Sequence, residues 1–283
     1  MRFFPFSALV GLLLCSLTSI NSFAGSATVN ANEMAAAPPS LYLEELTSPE
    51  LRALIAKGHT TVLLPIGGIE QNGPHMVLGK HNARARFLAG QIAQKLGTAV
   101  VAPVLAYVPE GSVHPPAAHM RFTGTISISD AAFEAVLEGA ARSFKQHGFR
   151  DIVFLGDHGG YQKSEARVAE RLNREWAKDP SARVHALPEY YAAATAPFNE
   201  SLRSKGFSTA EIGVHAGLAD TSLALAVDKN LVRTDQLAQA AAQAPANGVN
   251  GDPRRATAEL GQGGLQHIVD ATVTAVREAV RKH

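Results

Sequence analysis

Four glycine-rich stretches of the sequence carry histidine or carboxylate side chains where regular structure must stop. They hold, in chain order, Glu70, His75 and His81, then His114 and His119, then Asp157 and His158, and finally His215 and Asp220. Imidazole nitrogens and carboxylate oxygens are ligands that hydrolytic zinc sites use, with one position left open for the water whose pKa the cation lowers. These residue types therefore favour metal-assisted hydrolysis.

Other chemistries have less support in the sequence. It contains no His-Glu-x-x-His motif, no Gly-x-Ser-x-Gly elbow and no glycine-rich loop of the phosphate-binding kind. Each histidine taken alone could also be an ordinary structural residue. The feature that favours a catalytic or metal-binding site is the clustering of several such residues directly after predicted strands.

Alternating strands and helices must position these residues. Aliphatic runs predict buried strands over residues 60–66, 98–104 and 151–155, and a fourth strand is predicted over residues 183–187. Helical periodicity and end signals predict helices within residues 41–57, 82–96, 129–148, 164–178, 223–227 and 264–282. Residues 107–128 form a long irregular stretch whose apolar content argues for a functional loop. The pattern predicts an α/β fold with a mostly parallel sheet, whose ligands bind at the carboxyl ends of the strands.

The first residues have the features of an export signal. Arg2 precedes an apolar run over residues 6–17, and Ser22, Phe23 and Ala24 form a small-x-small cleavage site. We expect residues 1–24 to be a signal peptide, residues 25–40 a flexible leader and residues 41–283 one large domain, located in the periplasm or secreted. Cys15 lies inside the signal, so the mature chain could form no disulfide.

The charge balance excludes some classes of partner. Lys and Arg number 26 and Asp and Glu 25, for a formal net charge of +1, and no block of one sign stands out. The sequence therefore predicts no nucleic-acid partner and no membrane association after signal cleavage. A small-molecule substrate is the partner that the clustered loops favour.

Four motifs together resemble the creatininase (creatinine amidohydrolase) family. They read PIGGIEQNGPH at residues 65–75, HMRFTGTIS at 119–127, GDHGG at 156–160 and HAGLADTS at 215–222. The resemblance extends from about Leu41 to the C-terminal helix. It implies a three-layer α/β/α sandwich and a metal-dependent hydrolase of non-peptide C–N bonds, usually with two zinc or manganese ions bridged by water. It also implies a homo-oligomer, possibly a hexamer.

The resemblance assigns roles to some of the candidate residues. The roles expected of the remaining candidates follow from the chemistry of their side chains. Glu70 matches the family's first-loop glutamate, His158 its histidine after the third strand, and His215 its fourth-loop histidine, a proton-transfer candidate. The complete expected set has metal ligands Glu70, His81, His158 and Asp220, catalytic residues His215 and Asp157, and substrate-binding residues His75, His119 and Gly159.

Several residues depart from the family pattern. Asn72 stands where the family has a histidine, His81 where it has a bridging aspartate, and Asp220 where it has a glutamate. A neutral amide is a poor zinc ligand, and a histidine cannot bridge two metals as a carboxylate does. We therefore expect about one divalent cation per chain, with zinc as the first choice and manganese as the second.

These observations predict a metal-dependent amidohydrolase. A metal-activated water would cleave a C–N bond of a small amide or cyclic amide, and His215 would protonate the leaving nitrogen. The alternative is a catalytically inactive homologue that acts as a ligand-binding or scaffolding protein. The alternative predicts that no metal is bound.

Overall fold

A parallel sheet of four strands forms the centre of the fold in the computed structural model, which describes residues 40–281. The strands are β1 Thr61–Ile66, β2 Ala99–Val101, β3 Asp151–Gly156 and β4 Arg183–Ala186, in the order β2-β1-β3-β4. The register places Thr61 beside both Ala99 and Asp151. The predicted signal peptide and all but the last residue of the predicted leader lie outside the described residues.

Ten α-helices surround this sheet in residues 40–281. They are α1 Ser48–Ala56, α2 Lys80–Leu96, α3 Asp130–Gln146, α4 Gln162–Glu175, α5 Pro188–Ala193, α6 Ala196–Ser204, α7 Thr209–Ile212, α8 Leu218–Val227, α9 Leu237–Ala242 and α10 Ala258–Arg281. Short 3-10 turns include Ala118–Arg121 and Gly159–Tyr161. None of the described helices is long and apolar enough to cross a lipid bilayer.

Both faces of the sheet are covered by helices, because the strands are apolar on both sides. Every residue of β1 and β3 is buried. Along β1, Leu63 points into a core that includes side chains of α2, α8 and α10, whereas Val62 and Leu64 point into a second core with α3 and α4. The predicted three-layer α/β/α arrangement is confirmed.

The ends of two predicted elements differ from the structure. The strand predicted over residues 98–104 ends at Val101, and Pro103 has no N–H with which to continue the ladder. The helix predicted over residues 223–227 begins at Leu218, which places Asp220 in its first turn rather than in a loop. Helices α5, α6, α7 and α9, which have four to nine residues, were not predicted.

The parallel sheet brings the chemistry-bearing loops together. Residues 67–79 follow β1 and residues 157–161 follow β3, and these two strands are neighbours. Tyr161 ties the two loops to each other, since its hydroxyl donates to Ile66 O at 3.0 Å and to Gly67 O at 2.7 Å. Both loops therefore open at one edge of the sheet.

Candidate metal centre

Glu70 lies at the centre of the site and is completely buried. Its two carboxyl oxygens have different surroundings. Oε1 lies 2.7 Å from His81 Nε2 and 3.5 Å from Lys80 Nζ. Oε2 has no hydrogen-bond partner among the described residues. Buried carboxylate oxygens are seldom left in that condition, so Oε2 marks a position where a ligand is expected.

Two histidines face Oε2. Its distance to His119 Nε2 is 3.4 Å and to His158 Nε2 is 3.7 Å. Ligand atoms of Glu70, His119 and His158 all lie within 4.8 Å of one another. Zinc bonds to nitrogen and oxygen of about 2.0–2.2 Å fit a triangle of this size, so this group could hold one cation. We call Glu70 Oε2, His119 and His158 the open side of the site.

Local backbone structure positions the two histidines. His158 caps the turn Gly159–Tyr161 directly after β3, and Gly160 N donates to its Nδ1 at 3.2 Å. His119 lies in the turn Ala118–Arg121, and Ala118 has a φ of 51°. The left-handed conformation costs an alanine about 1–2 kcal/mol, so the rest of the loop must hold it in place.

His215 completes the open side at its edge. Its ring centroid lies 4.5 Å from that of His119. Its Nε2 donates to Gln71 O at 2.9 Å, which leaves the Nδ1 lone pair directed toward Glu70, 3.7 Å from Oε1. Backbone hydrogen bonds between His215 and Asn250 fix the chain there, with Asn250 N donating to His215 O at 2.8 Å.

The other side of Glu70 is a closed network of ion pairs. His81 lies between two carboxylates, with Nε2 2.7 Å from Glu70 Oε1 and Nδ1 2.5 Å from Asp157 Oδ2. Carboxylates accept hydrogen bonds, so both imidazole nitrogens must donate and the ring carries a positive charge. Burial and Lys80 oppose this charge, but Glu70 and Asp157 outweigh them and raise the pKa of His81.

Two further cations complete this network. Arg84 Nε donates to both oxygens of Asp157, at 2.9 and 3.1 Å, and its Nη1 donates to Asp220 Oδ1 at 3.2 Å. Lys80 Nζ donates to Asp220 Oδ2 at 2.9 Å. The Tyr190 hydroxyl donates to Asp157 Oδ1 at 3.0 Å. We call Lys80, His81, Arg84, Asp157 and Asp220, together with Glu70 Oε1, the closed side.

The two sides differ in how their environment shifts pKa values. Burial alone would raise the pKa of Asp157 and Asp220, but Arg84 on both and Lys80 on Asp220 hold these pKa values below the usual range. On the open side burial dominates, and it lowers the pKa of His158 and of His215 to about 4. At neutral pH these two histidines are therefore uncharged.

A cavity of about 380 Å³ leads to both sides. Lys80, His119, His158, His215 and Asp220 are among its lining residues. Depressions of about 540 and 300 Å³ adjoin it, and His119 lines all three. A ligand in the cavity would therefore meet the open side directly.

The structure changes the grouping predicted from the sequence. Glu70 and His158 converge as expected, but His119, predicted to bind substrate, supplies the third ligand atom of the cluster. His81 and Asp220, predicted as ligands, are held by ion pairs of the closed side. Neither nitrogen of His81 retains a lone pair for a metal.

The remaining predicted residues fall in three places. Asp157 belongs to the closed side, while His215, predicted to transfer a proton, borders the open side. His75 is completely buried, with Nε2 3.0 Å from Thr221 Oγ1, and it is not among the residues that line the cavity. Gly159 is exposed and lies against Tyr191.

Sequence reasoning missed three charged residues that lie in or beside the site. Arg84 lies three residues after His81 and four residues after Lys80 on α2, so helical spacing could have placed Arg84 near both of them. Glu110 is 3% exposed, and neither of its carboxyl oxygens has a hydrogen-bond partner among the described residues. Burial and the nearby Glu70 raise the pKa of Glu110 to about 8. No motif marks Glu110 in the sequence.

Comparison with known proteins identifies the family. The family model described as creatinine amidohydrolase matches residues 44–276. A mycofactocin precursor peptide peptidase from Mycolicibacterium smegmatis is 29% identical over 255 residues, covering 82% of this chain and 88% of the relative. The creatinine amidohydrolase of Pseudomonas putida is 27% identical over 258 residues, covering 84% and 97%.

A solved structure supports the same relationship. A mutant creatininase of the Zn-Zn type matches with a TM-score of 0.70 at 26% identity, covering 85% of this chain and 98% of that chain. The residues that the family model matches, 44–276, include all four strands and every loop of the site. The chain therefore belongs to the creatininase family of amidohydrolases.

Proposed function

We propose that this protein is a hydrolase of C–N bonds that uses one divalent cation, held by Glu70, His119 and His158. The observation that carries the proposal is the buried Oε2 of Glu70, which has no hydrogen-bond partner among the described residues and faces the Nε2 atoms of both histidines. One carboxylate and two neutral imidazoles suit zinc, with manganese as the second choice.

The cation and the protein would supply different parts of the chemistry. When bound, a divalent cation lowers the pKa of a water and polarises a carbonyl oxygen. His215 can accept a proton at Nδ1, because its Nε2 is occupied as a donor to Gln71 O. The same nitrogen can return that proton to the leaving amine. Its tilted stacking on His119 holds it beside the cluster.

The closed side explains why one cation is proposed and not two. Glu70 Oε1, Asp157 and Asp220 are the carboxylate groups that a second cation would need, and each is paired with Lys80, His81 or Arg84. Close cations repel each other strongly unless free anionic ligands lie between them. The three charged side chains thus take the place of a second metal.

A small amide or cyclic amide is the substrate class that we propose first, because the cavity of about 380 Å³ has the size of a small-molecule site. Peptide cleavage is a second candidate. It is supported by the similarity to a peptide peptidase. It is also supported by the cavity and its two adjoining depressions, which meet at His119 and together could receive a longer chain. Hydrolysis assays with small amides and with short peptides distinguish these candidates.

Metal analysis tests the proposal directly. Protein dialysed against zinc is expected to retain about one ion per chain by mass spectrometry, and Glu70→Gln is expected to retain almost none. Glu165→Gln is the matched control, since Glu165 is also buried with an unpartnered oxygen and lies outside the cluster. Absence of zinc from the wild-type protein would contradict the proposal and favour a ligand-binding or scaffolding homologue.

The number of ions can be tested further. Asn72→His combined with His81→Asp restores the family pattern and is expected to raise the content toward two ions. Either change alone is expected to have little effect, because it completes only part of a second site. Two tightly bound ions in the wild-type protein would show that the closed side does not exclude a metal.

Export is a separate proposal, based on Arg2 and the apolar run over residues 6–17. The mature chain is expected to begin at or near Gly25. N-terminal sequencing of protein recovered outside the cytoplasm tests this. Recovery of the chain with Met1 intact would contradict it.

A further inference from the structure

Glu110 lies behind one member of the metal centre. Its Oε2 is 3.5 Å from His158 Nδ1, on the side of the ring opposite to the Nε2 that faces Glu70. Glu110 is 3% exposed, and its two oxygens have no hydrogen-bond partner among the described residues. A buried carboxyl group with two unused oxygens is unusual and requires an explanation.

The backbone around Glu110 keeps the carboxyl group in this position. Its N–H donates to Ser127 Oγ at 3.0 Å, and the Ser127 hydroxyl donates to Gly111 O at 2.7 Å. Gly68 provides the space, because a Cβ at that position would lie 2.4 Å from Glu110 Oε1. Glu110 therefore occupies a pocket that admits its side chain and directs Oε2 toward His158.

Metal binding at Nε2 requires a change in the tautomer of His158. In the structure Gly160 N donates to Nδ1, so Nδ1 offers its lone pair and Nε2 carries the hydrogen. A cation on Nε2 requires the opposite tautomer, in which Nδ1 carries the hydrogen and Gly160 can no longer donate to it. Glu110 Oε2 is the acceptor positioned to receive that Nδ1–H.

We infer that Glu110 is a positioning residue of the metal centre, which accepts a hydrogen bond from His158 Nδ1 and so selects the metal-binding tautomer. Carboxylates that act in this way on ligating histidines typically contribute ten- to hundredfold to metal affinity. The inference rests on the proposed site of Glu70, His119 and His158. Nothing in it requires Glu110 to contact substrate.

Zinc affinity tests this role, measured by competition with a chromophoric chelator at pH 8.5, where Glu110, whose pKa burial raises to about 8, is mainly ionised. Glu110→Ala is expected to weaken zinc binding about ten- to hundredfold. Glu110→Gln is expected to weaken it less, because the amide oxygen can still accept the hydrogen bond. Glu165→Gln, which alters another buried carboxyl group, is expected to bind as the wild type does.

A spectroscopic measurement separates this role from a merely structural one. In zinc-loaded protein with labelled histidine, NMR is expected to show the His158 Nδ1–H of the wild type protected from exchange and that of Glu110→Ala exposed to it. Wild-type affinity in a folded Glu110→Ala, or the same Nδ1–H protection in both proteins, would overturn the inference alone. A wild-type protein that binds no zinc would overturn the metal site, and this inference with it.

Discussion

The two sides of Glu70 are built from similar residue types and yet have opposite character. On the closed side, positive and negative groups meet at 2.5–3.5 Å, so each buried charge has a partner. On the open side, neutral histidines face a carboxylate oxygen at 3.4 and 3.7 Å with no hydrogen bond between them.

This difference shows how one buried carboxylate can serve structure and binding together. The closed side holds Glu70 in place through its Oε1, which is paired with His81 and Lys80. The open side leaves the Oε2 lone pairs directed at two imidazoles, which is costly unless another group satisfies them. The pairing of one oxygen therefore preorganises the other for binding.

The largest effect is expected from breaking the closed side at Arg84. Arg84→Met would remove the partner that Asp157 and Asp220 share and leave buried charge uncompensated. We expect a loss of about 3–5 kcal/mol in the free energy of unfolding, measured with urea at pH 7. Arg142→Met is the control, since Arg142 makes its ion pairs on the surface and should cost less than about 1 kcal/mol. Similar losses in both variants would contradict a structural role for the closed side.

As the pH falls below 7, we expect the histidines of the open side to reduce the stability of the protein before the carboxylates of the closed side do. The folded-state pKa values of His158 and His215 are lowered to about 4, whereas unfolded histidine titrates near 6.5. Between these values the unfolded chain binds more protons, so stability falls as the pH falls, by up to about 1.4 kcal/mol per pH unit for each histidine. His75, with its pKa also lowered to about 4, adds to this loss.

The closed side responds in other pH ranges. Because the pKa of His81 is raised, its contribution is fully present below about pH 6.5 and is lost only as the pH rises through its folded-state value. The contributions of Asp157 and Asp220, whose pKa values are lowered, are lost only below about pH 4. Urea unfolding of metal-free protein at pH 7 and pH 5 tests the difference, and His158→Gln should reduce the loss. Equal stability at the two pH values would contradict it.

The smallest effect concerns the backbone that presents His119. Ala118 is exposed and adopts a φ of 51°, so Ala118→Gly should raise the free energy of unfolding by up to about 1 kcal/mol. The same change at the exposed Ala135, inside α3, should lower it by about 1 kcal/mol. Thermal unfolding of the two variants measures both effects. Destabilisation by Ala118→Gly as large as that of the control would show that the turn is not strained.

The sequence predicted the framework of the site more reliably than its contacts. All four strands were predicted to within a few residues. For β1 and β3 the reason is a mostly apolar run that is buried throughout, which leaves few alternatives. Glu70 and His158 were placed at the same edge of the sheet, since each closely follows a buried strand and parallel strands end at one edge. Asp220 was assigned to a loop, and the structure places it in the first turn of α8.

Residue types and their order along the chain thus determined the parallel α/β fold, the loops that carry chemistry and the family. Only the tertiary structure decided which histidine meets which carboxylate. His81 pairs with Asp157 because the rotation of α2 directs its ring between two loops, and His119 reaches Glu70 from a long loop whose path no local pattern encodes. Ligand geometry depends on distances of a few tenths of an ångström. Such distances are set by packing between segments far apart in sequence, and spacing along the chain does not contain them.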